Sequence, residues 1–166
     1  MEITASMVME LRAATGLGMM DCKKALAEAN GNMEVAIDSL RKKGQATAAK
    51  RADKEAKEGK VSIASDATAT VVYETNSETD FVSRNDDFVY YTKAIGEILL
   101  ANKPSDLEAA LAIKSDKFGG MSIQEKTLEL VGKIGEKISL SRFAIVSPKF
   151  GEKLFSYVHG DGKIGV

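Results

Sequence analysis

Two short segments carry side chains suited to recognising another macromolecule. The first, Gly16-Leu17-Gly18-Met19-Met20, puts three apolar side chains into the connection between two short helices. A bundle that small has little room for them, so some are expected at the surface. Flexible, polarizable methionine is common on protein-binding surfaces. The alternative for Met19 is that it opens the core face of the second helix. The second segment is Glu74-Thr75-Asn76-Ser77-Glu78-Thr79-Asp80-Phe81-Val82-Ser83-Arg84. It embeds a Phe-Val pair in polar residues just after a strand. Thr79 or Asp80 can cap a single turn that pushes Phe81 outward, and an isolated aromatic on a rigid turn suits insertion into a partner's pocket. The other reading folds Phe81 back as a core plug, which is the commoner fate of phenylalanine.

Residues for bond-making chemistry are sparse. The single histidine, His159, stands near the C-terminus at a strand end, where it is expected to face solvent or a partner. One histidine supports neither a Ser-His-Asp set nor a metal site built on two histidines. The single cysteine, Cys22, excludes an internal disulfide, and its place beside Ala25 and Leu26 reads as a small buried hydrophobe. Gly160-Asp161-Gly162-Lys163-Ile164-Gly165 has the wrong order and spacing for a phosphate loop. Asp86-Asp87 and the Glu78/Asp80 pair are candidate acid-base carboxylates. Asp86-Asp87 equally suits a helix N-terminus, where negative charge meets the dipole.

Apolar spacing sets out the elements that carry these residues. Three amphipathic helices open the chain, with Met7, Val8, Leu11 and Ala14 on the first face, Cys22, Ala25, Leu26 and Ala29 on the second, and Met33, Ala36, Ile37 and Leu40 on the third. Thr4 or Ser6 and Asn32 are N-cap candidates, and Gly44 is expected to close the third helix. The first domain is therefore drawn as residues 1–44. Residues 41–60 hold eight basic and three acidic residues, a local charge of +5, and no large apolar residue lies between Leu40 and Val61. Residues 45–59 read as a charged, solvated helical linker. Residues 60–166 read as an α+β core. Val61-Ser62-Ile63-Ala64 and Thr70-Val71-Val72-Tyr73 form a hairpin, helices follow near 86–101, 105–113 and 122–136, and residues 114–120 form a loop. A second strand pair is expected between residues 141–146 and 154–158. Gly160-Asp161-Gly162 is a hairpin turn followed by only four residues, so the sequence reads as a fragment that stops inside a strand.

The 166 residues carry 23 basic and 24 acidic side chains, a net charge of -1, no tryptophan and 6% aromatics. That balance gives no global pull on nucleic acid or anionic membrane and no base-stacking surface. The first residues form no signal peptide, and no apolar run approaches the ~18 residues of a membrane span. The expected setting is the cytoplasm.

At the two recognition segments the sequence resembles bacterial elongation factor Ts. Residues 11–26, from Leu11-Arg12-Ala13-Ala14-Thr15-Gly16 through Met19-Met20-Asp21-Cys22 to Ala25-Leu26, match that family's N-terminal signature. Thr79-Asp80-Phe81-Val82-Ser83, with Glu74 and Asn76 before it, matches a second. One departure is Thr75, where the family usually carries an aliphatic residue; it reads as a strand-edge packing detail. The resemblance implies a ubiquitin-associated-like (UBA-like) three-helix domain, a linker and the first part of the core. The resemblance further implies that the family's second core subdomain and coiled-coil insertion are expected to lie outside this sequence, along with the contacts of a homodimer expected for the full-length form. It also implies a guanine-nucleotide exchange factor for the GTPase elongation factor Tu that performs no bond chemistry and holds no cofactor or metal. Arg12, Met19 and Met20 match positions that dock on the GTPase. Thr79, Asp80, Phe81 and Val82 match the turn that dislodges Mg²⁺ and so promotes GDP release. Two other readings are weaker. The +5 segment suggests a nucleic-acid-binding module, but Asp53, Glu55 and Glu58 dilute it and no aromatic accompanies it. The Gly-Met loop suggests a ubiquitin-binding module on fold likeness alone.

Overall fold

The computed structural model describes residues 3–166 and shows an α+β protein. The chain divides into two compact units. One runs up to Ala52 and includes Leu128–Gly135; the other comprises Asp53–Thr127 and Glu136–Val166.

The first unit is built on three helices, α1 (Ala5–Thr15), α2 (Met19–Glu28) and α3 (Met33–Arg51). The Thr4 hydroxyl accepts from the Met7 amide, and the Asn32 side chain accepts from the Val35 amide, so both expected caps form. Gly16 ends α1 in the left-handed conformation at φ 68°, which costs an L side chain 1–2 kcal/mol or so but glycine nothing. Val8, Leu11, Cys22, Ala25, Leu26, Ala29, Ala36 and Leu40 form the core, with Met7, Leu17, Met33 and Ile37 packed against it. The whole expected α2 face is thus buried. On α1, however, Ala14 is exposed, because the buried stripe of that helix narrows to Val8 and Leu11.

Helix α3 does not close at Gly44. It continues to Arg51, and strand β1 (Glu58–Ser65) begins before Gly59, so no helix spans 45–59. One interior glycine costs a helix about 1 kcal/mol, and the Ala-, Gln- and Lys-rich sequence after it is helix-forming enough to carry on. Gly44 is buried against Gly132, so closely that a Cβ on Gly132 would come within 2.6 Å of the Gly44 Cα.

The second unit is a three-stranded antiparallel sheet in the order β1-β2-β3, with β2 (Thr70–Ser77) central and β3 (Ile138–Val146) beside it. The expected β1–β2 hairpin forms; the expected second strand pair does not. Ile138 and Leu140 alternate inward and bring β3 onto β2, while Pro148, which has no amide to donate, falls in the irregular stretch that follows. Among the residues after it, β4 (Val158–His159) pairs with β5 (Ile164–Gly165) across the anticipated Gly160-Asp161-Gly162 turn. Because β2 is flanked on both sides, Thr75 is not at a sheet edge. It is fully buried, and its hydroxyl lies 2.9 Å from that of Thr92.

Helix α5 (Asp86–Asn102) packs across β1 and β2 through Phe88, Tyr91, Ile95 and Leu99, all without solvent exposure. Gly96 lets it approach closely, since a Cβ there would collide with the Tyr73 ring. The Tyr73 hydroxyl donates to the Thr92 carbonyl at 2.9 Å, and burial pushes its pKa up to about 12. A short α6 (Leu107–Ala112), capped by Asp106, follows. A 3-10 turn over Asp116–Phe118 lies within the expected 114–120 loop, and α7 (Ile123–Ile134) precedes β3.

Candidate functional site

Strand β2 ends at Ser77, and within three residues the chain turns into α4 (Asp80–Ser83), a single helical turn before α5. Such a turn has almost no stability of its own, because nucleating a helix fixes several residues for one hydrogen bond. It is held from its ends. The Ser77 hydroxyl donates to the Thr79 carbonyl at 2.8 Å, and the Ser83 hydroxyl donates to the Asp80 carbonyl at 2.7 Å. The amides of Arg84 and Asn85 donate to the carbonyls of Phe81 and Val82 at 3.2 and 3.0 Å. Asn85 then caps α5 by accepting from the Asp87 amide at 2.9 Å, which leaves Asp86 and Asp87 in the first helical turn. The carboxylate of Glu136, from the connection between α7 and β3, accepts both the amide and the hydroxyl of Thr79.

These ties give the Phe-Val pair opposite fates. Val82 is 5% exposed and anchors the turn in the core, whereas Phe81 is 80% exposed. The outward reading of Phe81 therefore describes the fold, and the core-plug reading does not. Asp80 is half exposed beside it. The Arg84 guanidinium lies 3.9 Å from its carboxylate with both groups in solvent, a contact worth little energy. Thr79 and Asp80 are partly buried, so the four residues singled out in the sequence share one turn with one apolar ring and one carboxylate facing solvent.

The other predicted residues lie in the first unit. Arg12 is exposed in the last turn of α1. Met19 and Met20 are not in a loop: they form the first turn of α2, at 50% and 76% exposure. Leu17 does not join them, because it folds back against the core of the bundle. Cys22 is fully buried, with the Thr15 hydroxyl 3.7 Å from its sulfur, which fits its structural reading. His159 is exposed at the end of β4, with Nδ1 3.0 Å from the Tyr157 hydroxyl.

Among the described residues no group of His, Cys, Asp or Glu is arranged to hold a metal ion, and no helix is long and apolar enough to cross a membrane. A shallow cavity of about 410 Å³ lies on the sheet, lined by Val61, Val72, Phe143 and Ile164 among others, with Arg142 and Glu74 at hand. The Asn76 amide and then the Arg142 guanidinium hold the Glu74 carboxyl below its ordinary range, which fits a structural ion pair. What the Thr79–Val82 turn can do chemically is present a rigid ring and a charge to another macromolecule.

Sequence reasoning did not find Glu136. It stands 57 residues from Thr79, and nothing local distinguishes it from the chain's other glutamates. The family model described as Elongation factor TS matches residues 78–166, more than half of the chain, and the match takes in both the turn and Glu136. The chain therefore belongs to the elongation factor Ts family, whose members are translation elongation factors.

Proposed function

We propose that this chain is a guanine-nucleotide exchange factor that binds elongation factor Tu carrying GDP and promotes release of the nucleotide. In this reading the helical bundle of α1, α2 and α3 is a UBA-like domain that docks on the GTPase through Arg12, Met19 and Met20. The Thr79–Val82 turn drives the Phe81 ring and the Asp80 carboxylate in near the GTPase's magnesium site. The magnesium ion neutralises the nucleotide phosphates and is among the largest local charges there, so dislodging it removes a dominant contact to GDP. The coupling is reciprocal: a factor that binds the nucleotide-free GTPase more tightly than the GDP-bound form must weaken GDP by the same factor. No bond is made or broken, and the setting is the cytoplasm.

The observation that carries this reading is a phenylalanine 80% exposed on a turn whose next residue is 5% exposed. A ring left in water on a turn tied down at both ends has the form of an interface anchor. The test is release of labelled GDP from elongation factor Tu with Phe81→Ala at saturating factor. The expected result is about thirtyfold slower release, the scale of a 2 kcal/mol anchor, with an unchanged melting temperature. An unchanged release rate rejects the wedge.

A further inference from the structure

The turn that carries Phe81 is tied to a distant segment in both directions. The Glu136 carboxylate accepts the Thr79 amide at 3.1 Å and the Thr79 hydroxyl at 3.0 Å to either oxygen. In return, the Glu78 carboxylate accepts the Lys137 amide at 2.6 Å. Two adjacent residues of one segment are thus laced to two adjacent residues of the other, each through a glutamate taking a backbone N–H. All of these bonds are partly buried and charge-assisted, the stronger kind of hydrogen bond.

Thr79 occupies the N-cap position of α4 in an extended conformation, at φ -125° and ψ 157°. A threonine there ordinarily turns its hydroxyl onto the amides of its own helix. Here it makes no cap bond, and the hydroxyl points to Glu136 instead. Local stabilisation of a four-residue helix is forgone for a tie 57 residues away in sequence. A four-residue helix has little stability of its own, and among the bonds that hold this turn the one to Glu136 reaches it from outside the segment.

We infer that Glu136 is a positioning residue for the exchange activity: through Thr79 it fixes the angle at which Phe81 is presented, with the Glu78–Lys137 bond as the reciprocal half of the clamp. This inference rests on the exchange reading above. Glu136 need not touch the partner, so its loss acts on the step in which the ring is inserted and not on docking through the bundle.

The test measures GDP release from elongation factor Tu over a range of factor concentrations, with melting temperature as the control for folding. Glu136→Ala is expected to lower the maximal rate about tenfold while moving the half-saturating concentration by less than about threefold. Glu136→Gln, which keeps an acceptor oxygen but not the charge, falls between. Thr79→Ser, which keeps both the amide and the hydroxyl, is expected to lower the maximum less than Thr79→Val. Thr79→Val keeps only the amide and lowers the maximum, which supplies the answer even if Glu136→Ala does not fold. A folded Glu136→Ala or Thr79→Val protein with the wild-type maximal rate overturns the inference, as does a loss seen only in the half-saturating concentration. If the unsubstituted chain fails to speed release at all, the exchange reading falls first and the clamp has no exchange to serve.

Discussion

The two surfaces singled out for recognition are held in different ways. Met19 and Met20 occupy the first turn of α2, behind a glycine that supplies no side-chain cap, and their orientation follows from the helix that Cys22, Ala25 and Leu26 seat in the bundle. The core that seats this helix is drawn from Val8 to Leu40, one short span of the chain. Each methionine also keeps three rotatable bonds and can adapt to what it meets. Phe81 is the opposite case. Its side chain has two torsions, and its turn is fixed by Val82 below, Ser77 and Ser83 at the ends and Glu136 from far along the chain. One surface is soft on a locally determined scaffold; the other is stiff on a scaffold determined at long range. Soft contacts suit docking, which tolerates variation, and stiff ones suit forcing a neighbour apart.

Several substitutions break or sharpen this contrast. The largest effect is expected from Phe88→Ala, seven residues after Phe81 and fully buried on α5. It should cost about 3–5 kcal/mol, whereas Phe81→Ala, in solvent, should stay within about 0.5 kcal/mol. Urea unfolding of the two variants checks this, and similar losses would mean that Phe81 is not the free ring described. Next comes Thr75→Val, at the buried end of the strand that leads into the turn. Removing its hydroxyl takes the partner from Thr92 and should cost about 1–3 kcal/mol. Adding Thr92→Val should recover most of that loss, since an apolar pair of the same shape leaves nothing unsatisfied. A double variant no more stable than Thr75→Val alone would refute the pairing.

Met19→Ala and Met20→Ala should each raise the half-saturating concentration for exchange by a few-fold and leave the maximal rate unchanged, the mirror image of Phe81→Ala. A fall in the maximum would erase the distinction between docking and wedging. The smallest effect concerns pH. Glu74 is held below its ordinary pKa of 4.5 by Asn76 and then Arg142, so it contributes stability above about pH 4.5 that is lost as the pH falls through its lowered value. Glu74→Gln should flatten that part of the stability profile. The Arg142 side chain is mostly exposed, so added salt should shrink the difference further.

The sequence by itself determined what depends on neighbours along the chain. The face of α2, the Thr4 and Asn32 caps, the reach of α5 from its acidic first turn, the hairpin of β1 and β2 and the Gly160-Asp161-Gly162 turn all follow from spacing and turn chemistry, which act over a few residues. The Phe-Val pair was recognisable as a turn, but its direction was not, because one exposed and one buried side chain on a four-residue helix have no period to read. Only the tertiary structure decided that Phe81 faces out, that α3 passes through Gly44 against Gly132, and that β3 joins β2 and so encloses Thr75. It also decided that Glu136 holds Thr79. Each of these depends on a partner that folding brings near from a distant position, and a hydrogen bond or a close backbone approach between such partners leaves no mark on the local residue pattern of either one.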